Sequence, residues 1–144
     1  MSYPELIGLI PDSLRRFMSE RYDKRYDGVV GVLATLTVDG DPNASPKHFR
    51  IRDDNHIEFT DLFSRTLGEV LNKAPRVSVV FFDPQAVIGF RLKGKARLET
   101  FGPLFNQVAN RLENMGLKPK ALVNIEIDEI QSLGFGSDTG KKIG

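Results

Sequence analysis

The sequence predicts a mainly β fold with peripheral helices, a six-stranded antiparallel barrel, and three observations carry that prediction. Apolar segments that alternate or are rich in β-branched residues recur along the chain, each bounded by a turn signal. The few segments with helical spacing lie at the start of the chain or between strands. The strand connections are short, which favours antiparallel neighbours and closure over a doubly wound sheet.

The first element is a helix. Pro11-Asp12-Ser13 is a start signal, and Leu14, Phe17, Met18 and Tyr22 follow at helical spacing, so a helix is expected over about residues 12–26, fading at Tyr26-Asp27-Gly28. Val29 to Val38 reads as a strand closed by the turn Asp39-Gly40-Asp41-Pro42. Asn43 to Arg52 returns, with Phe49 and Ile51 on one face, and Asp53-Asp54-Asn55 turns into a short strand from His56 to Thr60. Ser64 to Lys73 is the second predicted helix, with Ser64 as its cap and Val70 and Leu71 facing inward; Pro75 ends it. Val77 to Phe82 is expected to be buried on both faces. Val87 to Thr100 alternates, with Ile88, Phe90, Leu92, Gly94, Ala96 and Leu98 opposite Arg91, Lys93, Lys95 and Arg97. Gly102-Pro103 opens a helix over Leu104, Phe105, Val108 and Leu112, and Ala121 to Leu133 is the last strand.

The 144 residues suit one domain: the helix, a barrel over about 28–133 and a mobile tail at 134–144. The chain has no cysteine, which excludes disulfides, thiolate nucleophiles, iron–sulfur clusters and cysteine-bearing zinc sites. A formal charge of +1 gives no bulk electrostatic reason to expect a nucleic-acid or membrane partner. The longest apolar run, Val29 to Leu36, is far short of the ~20 residues that span a bilayer. Arg15-Arg16 follow the first apolar stretch rather than precede it, so no secretory signal is read and a cytoplasmic location is expected.

Ser64, Arg65 and Thr66 stand between the third strand and the second predicted helix, where free backbone N–H groups, hydroxyls and a guanidinium suit a phosphate. An ordinary capped helix with an exposed arginine fits the same string. Pro46 removes a ladder donor, which puts Lys47 on a sheet edge or at a bulge; it either turns into a ligand groove or guards an edge. The stripe Arg91, Lys93, Lys95, Arg97 has no aromatic residues interleaved for base stacking, so it reads as a solvated face paired with Glu126 and Asp128. The tail Gly134 to Lys142 fails the P-loop pattern in spacing and lacks its hydroxyl. His48 and His56 have no partners at metal spacing, and no metal site is expected.

In order and spacing these segments resemble the pyridoxamine 5′-phosphate oxidase-like FMN-binding split-barrel family. The resemblance rests on Gly31-Val32-Leu33-Ala34-Thr35-Leu36, the turn Asp39 to Pro42, Ser45-Pro46-Lys47-His48-Phe49-Arg50, and Ile57-Glu58-Phe59-Thr60 feeding Ser64-Arg65-Thr66. Asn72 to Val77 and Gly89 to Ala96 continue it. It implies a six-stranded antiparallel split β-barrel, FMN as cofactor, and a homodimer with FMN between subunits. It also implies that Ser64, Arg65 and Thr66 grip the phosphate, and that Ser45, Pro46 and Lys47 line the ring and ribityl chain. Thr60, Asp61 and Leu62 would then follow the ring edge, with Gly89 near the ring. The chain departs from true pyridoxamine phosphate oxidases: it has no tryptophan, Gly89 replaces a flavin-contacting glutamine, and Thr66 replaces a lysine. The resemblance is therefore to the small FMN-binding branch, without vitamin B6 oxidase activity. A small oxidoreductase or flavin reductase is the expected function. An FMN carrier or electron-transfer module and a deazaflavin-dependent reductase are the alternatives. The catalytic residues, electron donor and acceptor are not legible.

Overall fold

The structure is a computed structural model that describes residues 9–65, 67–134 and 142–143. Helix α1 (Asp12–Glu20) leads into strands β1 (Val29–Leu36), β2 (Pro42–Asp53) and β3 (His56–Asp61). Helix α2 (Leu67–Lys73) precedes β4 (Arg76–Asp83) and β5 (Ile88–Glu99), and α3 (Pro103–Glu113) precedes β6 (Ala121–Ser132). The strands close into a barrel in the order β1-β2-β3-β6-β5-β4, every neighbour antiparallel. The fold class expected from the sequence is the one observed. No helix among the described residues is long and apolar enough to cross a membrane.

The barrel interior is set by strand alternation. Phe49, Phe59 and Phe81 are fully buried, and the Phe49 ring meets the other two edge-on at centroid distances of 5.3 and 5.5 Å. Phe17 of α1 extends the cluster, 5.4 Å from Phe90 and 6.4 Å from Phe81, so the helix is held by its apolar face. Gly31 makes room for this packing: a Cβ there would lie 2.7 Å from the Phe81 ring.

Four sequence expectations are corrected. Helix α1 ends at Glu20, not near Tyr26; Arg21 leaves helical geometry, and the chain reverses through a hairpin bridged between Asp23 and Gly28. Ser64 does not cap α2, which begins at Leu67; the Ser64 N–H donates instead to the buried carboxylate of Asp61 at 3.1 Å. Leu67 and Leu71, rather than Val70, are the buried residues of α2, and Thr66 lies outside the described residues. Strand β4 is buried on one face only, with Val77, Val79 and Phe81 inward and Phe82 half-exposed.

Two cations of the stripe, Lys93 and Arg97, meet carboxylates, and these are not the expected Glu126 and Asp128. Arg91 bonds Gln131 at 2.6 Å, Lys93 lies 3.8 Å from Glu129, and Arg97 lies 3.5 Å from Glu99. A register shift between Lys93 and Gly94 moves the β6 acids by one residue, and Asp128 is taken by Arg76. Most of the tail assigned to 134–144 lies outside the described residues. Lys142 and Ile143 pair with β6, through Gln131 and the Ile130 carbonyl.

One outer face stays apolar. Val30, Val32 and Leu36 point outward from β1 and are exposed, and half-exposed Phe82 of β4 borders the same shallow groove as Val30.

Candidate functional site

The site begins where the sheet stops pairing. Strands β2 and β3 are joined only from Arg50–Glu58 to Asp53–His56. Had the ladder run on, His48 would face Thr60 and Lys47 would face Asp61. Instead β2 from Pro42 to Phe49 pairs with β1 alone, and β3 from Phe59 to Asp61 pairs with β6 alone. Lys47 therefore stands on an unpaired edge, beside the proline that cannot donate to one.

A cavity of about 640 Å³ opens along this split. Pro46, Lys47 and His48 form one wall, and Thr60, Asp61, Leu62, Phe63 and Ser64 form the facing one. The end of α3 closes it with Arg111 and Leu112, followed by Met115 and Leu117, and the α1–β1 hairpin adds Lys24 to Asp27 behind Tyr22. Gly116 takes a positive φ of 73° directly after Met115, the turn that brings Leu117 back to the rim.

Of the residues singled out in the sequence, Pro46, Lys47, Thr60, Asp61, Leu62 and Ser64 meet here. Ser45 is half-buried on β2 opposite Leu33, just beyond the lining. Arg65 is exposed and lies outside the cavity lining; Gly89 also lies outside it, buried in β5 with its carbonyl accepting the Leu133 N–H at 2.8 Å. His56 lies apart from the cavity, its ring 2.7 Å from Asp53, whereas His48 stacks on Tyr26 at 4.7 Å. Among the described residues no three His, Asp or Glu side chains gather for a metal.

Local bonds hold the lining in place. Lys120 donates its backbone N–H to the Asp61 carbonyl at 2.8 Å and its Nζ to the Ser64 carbonyl at 2.5 Å, fixing both ends of the Asp61–Ser64 loop. The Lys47 ammonium lies 5.6 Å above the buried Phe59 ring, so the core face steers that charge. Arg50 is gripped from below: Nε and Nη2 bond Glu58 at 3.1 and 2.7 Å, and Nη2 reaches Thr60 Oγ1 at 3.2 Å. Arg52 takes the other Glu58 oxygen at 2.5 Å and clamps Glu99 with both terminal nitrogens at 2.8 and 2.6 Å.

These bonds set the protonation states. The Arg52 hydrogen bond holds the Glu99 carboxyl below its ordinary range, and that bond in turn pushes the Arg52 guanidinium further up. Because Glu99 titrates lower when folded, its stabilisation is complete above the ordinary glutamate pKa of about 4.5 and is lost as pH falls through the folded value. Thermal unfolding followed from pH 7 into that range should therefore show a falling Tm, and Glu99→Gln should flatten the fall. An identical slope in the variant would rule Glu99 out as its source.

Arg50, Arg111, Lys120 and the 22–27 hairpin were not legible as site residues. Arg111 carries no local signal beyond a basic residue in a last helical turn. The dense run Asp23-Lys24-Arg25-Tyr26-Asp27 is the available clue, and the helical spacing that continues to Tyr22 hides it.

A family model described as pyridoxamine 5′-phosphate oxidase matches residues 14–134, most of the chain. The chain belongs to the pyridoxamine 5′-phosphate oxidase family. Solved structures share its fold. HupZ of Group A Streptococcus aligns with a TM-score of 0.74 at 20% identity, covering 91% of this chain and 99% of HupZ. An FMN-binding protein from Syntrophomonas wolfei aligns at 0.63 and 14% identity, covering 87% and 94%. A pyridoxamine 5′-phosphate oxidase-related, FMN-binding protein from Nostoc punctiforme aligns at 0.58 and 15% identity, covering 76% and 77%. No curated protein sequence matches. The split between β2 and β3 has the room and the charge for a ligand.

Proposed function

We propose that the chain is an FMN-binding flavoprotein acting as a small oxidoreductase or flavin reductase, and that it works as a homodimer. The observation that carries the reading is the cavity itself. It assembles Pro46, Lys47, Thr60, Asp61, Leu62 and Ser64, the stretch that the family resemblance assigns to the flavin, at a volume within the usual range for small-molecule sites. The donor set fits the cofactor. Five cations, Lys24, Arg25, Lys47, Arg50 and Arg111, line the cavity with two carboxylates, Asp27 and Asp61; Arg25, Arg50 and Arg111 are ion-paired with Asp23, Glu58 and Asp27, and Lys24 and Lys47 supply the positive charge that suits a phosphate-bearing ligand.

Bound FMN supplies hydride or electron transfer; the chain supplies orientation and field. Leu62, Phe63, Leu112 and Met115 offer apolar surface and exclude water. Lys47 brings a positive charge that favours an electron-rich ring. Ser64, Arg65 and Thr66 are the phosphate-end groups of this reading. The dimer reading draws on the apolar outer face of β1, where Val30, Val32 and Leu36 would otherwise face water. Gly89 pairs with Phe82 at the rim of that face, which is where a second copy would meet it.

The first test is the visible absorption spectrum of the purified protein, with chromatography of whatever boiling releases. A yellow protein that sediments at twice the chain mass and releases FMN is expected. A colourless protein that takes up no added FMN rejects the reading. Arg65→Ala should weaken FMN binding by about tenfold, the modest loss expected for an exposed charge-assisted contact; unchanged affinity removes Arg65 from the phosphate site. Reduction by NADH or NADPH then separates a reductase from a carrier, which should react slowly with both.

A further inference from the structure

Helix α3 belongs to a flap whose two ends are anchored side by side. Glu99 and Leu122 face each other in the β5–β6 ladder, and the chain between them leaves the sheet and returns to it. At one end Arg52 clamps the Glu99 carboxylate. At the other, Pro119 is buried and Lys120 is tied to the Asp61 and Ser64 carbonyls. Between these posts a glycine with positive φ stands beyond each end of the helix, Gly102 at 104° and Gly116 at 73°. A Cβ at either would meet no atom within 4 Å, so backbone conformation rather than packing calls for glycine there. Two such residues beside fixed posts are placed to absorb the rotations of a hinge.

Little fastens the helix between them. Val108 is its one buried residue, and it stands outside the core built on Phe49, Phe59 and Phe81. Among the described residues, α3 makes one hydrogen bond or ion pair beyond its own ends, from Arg111 Nη2 to Asp27 Oδ2 at 2.6 Å.

The far side of that pair is fixed. Asp27 has a φ of 52°, best tolerated by Asn, Asp and Gly. Tyr22 donates its hydroxyl to the other carboxylate oxygen, and Arg50 donates to the Asp27 carbonyl at 3.4 Å. Gly28 is pressed on β2 so closely that a Cβ would lie 2.8 Å from the Phe49 carbonyl oxygen. The hairpin is thus a rigid catch, and α3 is the part free to move.

Closed, the flap completes the cavity wall with Arg111, Leu112, Met115 and Leu117. We infer that α3 is a hinged gate on the cavity, latched by the Arg111–Asp27 pair, and that its opening sets how fast a ligand enters and leaves. That the ligand is FMN rests on the flavin reading; the gate itself rests on the hinges and the latch.

Hydrogen exchange read by mass spectrometry tests the gate without a ligand. A helix of 11 residues released from the barrel is too short to keep its own hydrogen bonds in water, so opening exposes its amides. The α3 amides should exchange about a hundredfold faster than those of β5 and β6. Asp27→Asn, which suits the positive φ, should speed them about threefold further, the scale of a half-exposed ion pair, and leave β5 and β6 unchanged. Arg111→Gln should do the same, and the double variant should add nothing to either. Raising salt should speed α3 exchange in the wild type and not in Asp27→Asn, because it screens the latch. That salt response needs no variant, so it decides the matter even if a substitution folds poorly. Amides of α3 that exchange together with β6 overturn the inference. So do rates that respond to neither variant nor salt, or two substitutions whose effects add.

Stopped-flow binding of FMN then reads the gating. Asp27→Asn should raise the association and dissociation rates by the same factor and leave Kd in place, since the latch closes the cavity whether empty or filled. A weaker Kd with an unchanged association rate overturns the gate, because Asp27 would then only support bound ligand. Failure to bind FMN at all sinks the flavin reading alone, since exchange in the ligand-free protein remains readable.

Discussion

Glu58→Ala is expected to destabilise the protein by about 3–5 kcal/mol, the usual result of removing one partner from a buried ion cluster. Glu58 is only 8% exposed, and its two carboxylate oxygens are divided between Arg50 and Arg52. Removing it strands the two arginines unequally. Arg52 keeps its bidentate clamp on Glu99, whereas Arg50 keeps only Thr60, a long bond to the Asp27 carbonyl and the longer approach to the Asp27 carboxylate. The desolvation of Arg50 is then poorly compensated. Glu58→Gln retains the shape and one acceptor, so it should cost clearly less than alanine. Urea unfolding of both variants checks the ranking. A loss below about 1 kcal/mol for alanine would mean that water screens the cluster as it does a surface pair. The effect should reach the cavity as well, because Glu58 is what turns Arg50 toward it.

That cluster also marks where the sequence stops being informative. The strands were legible because period-two alternation is written residue by residue: Phe90, Leu92, Gly94 and Ala96 are buried as the pattern requires. The candidate lining was half legible. Pro46 and Lys47 stood out through backbone chemistry, and Ser64 through its place after a strand. Arg50, Arg52 and Glu58 look like ordinary outward strand residues, and only the pairing of β2 with β3 makes them one buried group. Arg111 is more remote still, 61 residues after Arg50 in the chain and brought in by α3. The errors have the same origin. Helical spacing through Tyr22 was real, but it could not reveal that the chain reverses at Asp23 to carry Asp27 into the cavity.

The split between β2 and β3 follows from competing demands on the two strands. Beyond Arg50 and Glu58, each already has a complete partner on its other side, β1 for one and β6 for the other. The barrel can open there while each strand keeps one full ladder. Lys120 then ties the loop after β3 to the β6 side, through the Asp61 and Ser64 carbonyls, rather than to β2. A ligand site placed in that opening needs no rearrangement of the core, which continues uninterrupted through Phe49, Phe59 and Phe81 beneath it.

That core carries the other large expected effect. Phe81→Ala should cost about 3–5 kcal/mol, since the ring is fully buried against Phe17 and Phe49 and little can collapse into its place. Gly31→Ala should be destabilising for the opposite reason. Its new methyl would lie 2.7 Å from one Phe81 ring carbon, 2.9 Å from another and 3.1 Å from the Phe49 ring, so buried rings must shift, at about 1–3 kcal/mol. The two changes should not add. In the Phe81→Ala background the clash is gone, and the methyl enters the vacancy the ring has left. Gly31→Ala should then become neutral or stabilising, giving a coupling within the range of about 0.5–3 kcal/mol seen for residues in contact. Additive losses would mean that the penalty at position 31 comes from the Phe49 side instead. Phe49 would then be the ring that fixes the close approach of β1, and the core would be organised around β2, the strand that also forms the wall of the cavity.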